Sequence, residues 1–205
     1  MLKLLADKLP NNKSSIICHS LGSRVVIRAL ALALKEERDE ALREELFRMV
    51  GRIGQFVLLG SAEYVVEAQL LIRRLGAAQL PASPQFYNVV SRENDVLDKL
   101  GENFGPRTFG NSQVIGHYWL DIENRKELTN WIDLQIDRAE LQTWMEVNHA
   151  FKISDDRPDN VWNQWYYYTF RGNMEIYKSI LREPNVWRIP DLRERGIPDV
   201  VPRRW

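Results

Sequence analysis

The residues Cys18-His19-Ser20-Leu21-Gly22-Ser23 carry the most specific chemical signal in this chain. They follow a short apolar run, Ser14–Cys18, and open a long apolar stretch from Ser23 to about Lys35. A strand that bends sharply into a helix brings two backbones close together, so the bend needs small residues on either side of its central position. Cys18, Gly22 and Ser23 supply them. Such a bend lifts the Ser20 hydroxyl clear of the strand, beside the positive N-terminal end of the helix. It also aims the Leu21 N–H at an oxygen on which negative charge develops. This is the chemistry of a nucleophilic serine. The plainer alternative, a serine capping an ordinary helix, leaves the small flanking residues unexplained.

The composition bounds what else the chain can be. It has 205 residues, 44% hydrophobic and 27% charged, as in an ordinary globular domain. Twenty-eight basic and twenty-eight acidic residues cancel, so a broad face for nucleic acid is not expected. One cysteine, Cys18, forms no internal disulfide, and no Cys/His cluster has zinc spacing. A reducing cytoplasm fits that usage. Neither nucleotide-binding glycine motif, G-x-x-x-x-G-K-[ST] or G-x-G-x-x-G, is present, so no cofactor is expected. The longest apolar stretch, Val25 to Leu34, is broken by Arg28 and is far shorter than the roughly 20 residues a bilayer requires.

The elements that must position Ser20 follow from the apolar patterning. Ser14–Cys18, Gln55–Gly60 and Phe86–Val90 read as buried strands, and Ser23–Lys35 and Glu63–Leu75 as the helices between them. The helix after Ser23 is apolar nearly all round, which predicts burial on more than one side. Its charged continuation, Glu36 to Arg48, reads as a solvated helix. Alternating strands and helices predict an α/β fold, with a mostly parallel sheet and helices on both faces. Asp95 opens a short helix to about Leu100, and Gly101–Ser112 reads as an irregular excursion. Trp131–Ile136 alternates in polarity, which predicts a half-buried edge strand. Gly172–Arg182 reads as a last helix, and residues 184–205, with four prolines, as a surface-wrapping or loose tail beyond a domain at 1–183.

Strand, then His-Ser-Leu-Gly, then a helix beginning with Val-Val resembles the nucleophile elbow of the α/β-hydrolase superfamily, whose pattern is G-x-S-x-G. Cys18 stands in place of the first glycine. The resemblance implies a serine hydrolase acting on a small ester or related acyl substrate, with Ser20 as nucleophile and Leu21 N–H as one oxyanion donor. It further implies an acid after a later strand and a histidine after the last one. Asp95, in Ser91-Arg-Glu-Asn-Asp-Val-Leu97, resembles the acid that orients the base; its alternative role is to cap the helix that follows, and Asp98 is a weaker candidate. For the base, His149 follows the Trp131–Ile136 strand and is the narrow choice over His117. His19 sits inside the elbow and should point away. A third outcome is a lost base: many relatives carry the histidine just before the last helix, where this chain has Gln164 within Trp162-Asn-Gln-Trp-Tyr-Tyr-Tyr168. An amide does not accept the serine proton.

The resemblance covers only the second half of such a domain. Several strands normally precede the elbow strand, and here about fifteen residues do. The expectation is therefore a fragment or half-domain that lacks the N-terminal strands and their second oxyanion donor. Such a chain is weakly active or inactive, with Ser14–Cys18 as an edge open to strand pairing. A catalytically silent module binding an acyl ligand or a protein partner is the competing reading.

Overall fold

The computed structural model describes residues 13–35, 40–78, 80, 83–91, 114–115, 126, 128–153, 167 and 172–200. Strand β1 is Ser14–His19, followed by helix α1 (Leu21–Ala33) and helix α2 (Glu40–Gly51). Then come β2 (Ile53–Leu59), α3 (Val65–Ala77), β3 (Gln85–Val90) and β4 (Trp131–Gln135). Helices α4 (Ala139–His149), α5 (Asn173–Arg182) and α6 (Ile189–Glu194) complete the described elements. The four strands form one sheet in the order β1-β2-β3-β4, every pair parallel. The chain is thus an α/β protein. Every strand points the same way, so the turns after β1, β2, β3 and β4 all emerge at one edge of the sheet.

Side chains alternate between two apolar layers because successive strand residues face opposite sides. On one face Phe56, Phe86 and Trp131 lie in register across β2, β3 and β4 and stack, with ring centroids 4.8 and 5.5 Å apart. Ile27 and Leu30 of α1, Val50 of α2 and Leu71 and Leu75 of α3 pack into the same layer. On the other face Val57, Tyr87 and Leu134 meet Leu141 of α4, Ile176 and Ile180 of α5, and Leu192 of α6.

Three expectations need correcting. Among the described residues the Trp131–Ile136 strand lies at the sheet's edge, yet it is buried along its whole length, not half-buried. Its polar residue Asp133 is satisfied inside the protein, accepting hydrogen bonds from Asn88 Nδ2 (2.8 Å) and Trp131 Nε1 (3.0 Å). Residues 184–200 are no loose tail, because Trp187, Ile189 and Leu192 are completely buried in the second apolar layer. Helix α1 buries one side only; the opposite stripe, Leu21, Val25 and Leu32, is open among the described residues. The expected short helix 95–100 and the excursion 101–112 lie outside the described residues.

Candidate active site

Ser20 stands between the last residue of β1 and the first residue of α1, with φ 51° and ψ −121°. A positive φ is uncommon for a residue with a β-carbon, and with this ψ the pair lies outside all three broadly allowed regions. A helix cap has extended torsions and accepts a hydrogen bond on its side-chain oxygen. Ser20 has neither the torsions nor a side-chain cap bond. Its backbone is held on both sides of the bend. The Ser20 N–H donates to Leu59 O (3.0 Å), and the Ser20 carbonyl accepts from the N–H groups of Ser23 (3.1 Å) and Ala62 (3.2 Å).

The first turn of α1 carries amide donors that no preceding turn can use. Ser23 N–H is taken by the Ser20 carbonyl, whereas Leu21 and Gly22 N–H have no backbone partner among the described residues. The small flanks are less cramped than the sequence suggests. A β-carbon at Gly22 would meet Cys18 Cβ at 3.6 Å, an ordinary contact. Ser23 is fully buried. Burial also pushes the Cys18 thiol above its usual range, with the Ser23 hydroxyl pulling more weakly the other way. Cys18 is therefore a packed thiol and a poor nucleophile at neutral pH.

Beside Ser20 lies the turn after β2. Gly60 takes φ 47°, and the Tyr167 ring presses against it so closely that a β-carbon would fall 2.5 Å from Cε2. The Tyr167 hydroxyl accepts the N–H of Ser91, the residue after β3, at 3.2 Å. Its ring centroid is 6.1 Å from that of His19. Ser20, Gly60, Ser91 and Tyr167 thus gather at the C-terminal edge of the sheet, where ligands of open α/β sheets bind. Next to them Glu63, fully buried, accepts a hydrogen bond from Arg28 Nε at 2.9 Å and forms an ion pair with Arg24 Nε at 3.5 Å, without a hydrogen bond between them. The hydrogen bond and charge of Glu63 raise the Arg28 guanidinium above its already high value.

His149 does not join this group. Helix α4 leaves the C-terminal edge at Ala139, and its eleven residues carry it about 16 Å back across the layer. The His149 ring ends stacked on Trp187, with centroids 4.6 Å apart and Phe151 at 6.0 Å. Trp187 in turn packs edge-on against Tyr87, whose hydroxyl bonds Gln85, the first residue of β3. His149 therefore sits toward the opposite end of the sheet, and its expected role as base is corrected. Burial pushes its imidazole below 6.5, Arg195 adds to that shift, and Glu183 opposes it. Asp95, Asp98, His117 and Gln164 lie outside the described residues. The strand that leads to Asp95 does reach the Ser20 edge. β3 stands two strands from β1, about 10 Å across the sheet.

Among the described residues no cluster of His, Cys, Asp or Glu has the makings of a metal site. No helix there is long and apolar enough to cross a membrane. No family model, curated protein or solved structure matches this chain.

The polar group around Glu63 was missed by sequence reasoning. Its only signal was Arg24 and Arg28, two cations interrupting an otherwise apolar helix.

Proposed function

We propose that this chain carries the nucleophile elbow of an α/β-hydrolase-like domain, with Ser20 as the nucleophile toward an ester or related acyl bond. The observation that carries the reading is the Ser20 backbone. A serine held at φ 51° and ψ −121°, without a capping bond, occupies a conformation that costs stability and has no use in ending a strand. Strain of that kind collects where a side chain must be presented. In this reading Leu21 N–H stabilises the oxyanion and Asp95, beyond the end of β3, orients the base. His117 is the histidine that remains for that role.

The test is turnover of p-nitrophenyl esters from acetate to octanoate. The reading expects a stoichiometric burst of p-nitrophenol that Ser20→Ala abolishes. An identical burst in the variant, or none in either protein, would count against it.

One observation favours a second reading, a silent hydrolase-like module that binds an acyl ligand or a protein. Leu21, Val25 and Leu32 are 60, 69 and 53% exposed along one side of α1, and Ile17 of β1 is 44% exposed. The edge from Ser14 to Cys18 bears no charge. At the other edge, by contrast, Arg193 donates to the carbonyls of Leu128 and Trp131. Charged cover of that kind keeps an edge from pairing. With Gln164 in the base's place, the module would bind through this apolar side and edge. Ser20→Ala would then leave binding intact.

A further inference from the structure

Glu63 takes no part in the chemistry proposed for Ser20, yet its carboxylate is completely enclosed. A buried carboxylate persists only where partners meet it on several sides, and the partners of Glu63 lead back to the bend. We propose that Glu63, acting through Arg24, is a positioning residue that holds Ser20 in its strained conformation.

The connections form a closed ring. The Ser20 carbonyl accepts from Ala62 N–H at 3.2 Å. Across that same residue, the Ala62 carbonyl accepts from Arg24 Nη2 at 2.7 Å. Arg24 stands four positions after Ser20 on α1, so the ring returns to the helix that the bend begins. The Arg24 guanidinium lies over the Tyr64 ring, 4.7 Å from its centroid, and is 3.5 Å from Glu63 Oε1. Glu63 is fixed in its turn. Oε1 accepts Tyr64 N–H at 2.9 Å, Oε2 accepts Arg28 Nε at 2.9 Å, and the main-chain carbonyl accepts Ile115 N–H at 2.9 Å.

A strained torsion survives only when its surroundings over-determine it. The bond from Ser20 to Leu59 continues the β1–β2 ladder by one residue, and the bond from Ser23 to Ser20 leads into the first turn of α1; both are main-chain only. The bond from Ala62 is the one tied down by side chains, and Glu63 is where those side chains converge. Only the consequence for reactivity rests on Ser20 being a nucleophile; the consequence for conformation does not.

Amide hydrogen exchange on the whole chain tests this. Glu63→Gln keeps the size of the side chain and removes its charge. The amides of Ala62 and Ser23 should then exchange about tenfold faster relative to those of Tyr87 and Val89 in β3, the change expected when one hydrogen bond is lost. Leu192→Ala, a core truncation in the opposite layer, should speed both groups equally. Should Glu63→Gln fail to fold, Arg24→Ala removes the link to Ala62 from a partly exposed position and must give the same ratio. An unchanged ratio in the folded variants overturns the proposal. Labelling of Ser20 by a fluorophosphonate should slow at least tenfold in Glu63→Gln relative to Leu192→Ala. An unlabelled parent protein would defeat the nucleophile reading, while the exchange ratio would still decide the role of Glu63.

Discussion

Replacing Ser20 by glycine and, separately, by alanine measures the strain at the bend through the sign of a difference. Both changes remove the hydroxyl, so any bond it makes cancels between them. In a helix or strand interior, glycine is less stable than alanine by about 0.5–1 kcal/mol, because its unfolded chain has more freedom to lose. At φ 51° and ψ −121° the β-carbon of alanine meets its own backbone, and glycine has none. Strain of this kind costs on the order of 1–3 kcal/mol. Subtracting the entropic handicap leaves Ser20→Gly the more stable of the two by about 1.25 kcal/mol at the midpoints of those ranges, and by at most about 2.5 kcal/mol. Equilibrium urea unfolding reads this directly, provided the two variants share the same m-value. An alanine variant as stable as the glycine variant, or more so, would mean that Ser20 relaxes to ordinary torsions in solution, and the reasoning about a presented hydroxyl would fail.

Two glycines near the bend should respond in opposite ways. Gly60→Ala combines φ 47° with a β-carbon 2.5 Å from the Tyr167 ring, and should lose about 2–4 kcal/mol in urea unfolding. Gly22→Ala places its β-carbon at 3.6 Å from Cys18 within a helix, and should be neutral or stabilising by up to about 1 kcal/mol. His149 makes stability depend on pH. Its folded pKa lies below 6.5, so between those values the unfolded chain binds more protons, and stability falls as pH drops through 6.5 toward the folded value. His149→Phe keeps the stack on Trp187 and should flatten that part of the curve, with Arg195 and Glu183 unchanged; a slope identical to the parent's would refute the assignment.

Much of the scaffold was legible because burial is written in apolar runs. Phe56-Val-Leu-Leu59 and Phe86–Val90 are strands covered on both faces, and α1 and α3 carry unbroken core stripes. The bend at Ser20 was legible from the small residues around it, although Gly22 proves less constrained than that reading supposed. What was misread has physical causes. Asp133 and Gln135 look like a solvent-facing row until Asn88 and Trp131 are seen to satisfy Asp133 inside the protein. Four prolines and alternating charges after residue 183 masked Trp187, Ile189 and Leu192, which seal the second layer. Helix α4 left a weak pattern, with only Leu141, Trp144 and Met145 buried. Overlooking it put His149 on the wrong side of the sheet, since a helix after a parallel strand carries the chain back toward the strand's beginning.

The most direct measurement is peptide mapping by mass spectrometry after exposure to an alkyl fluorophosphonate. A nucleophilic Ser20 takes one phosphonyl adduct on the peptide that contains it, and Ser20→Ala takes none. A parent protein that emerges unmodified at Ser20, or carries its adduct on another residue, contradicts the assignment of Ser20 as the reactive group.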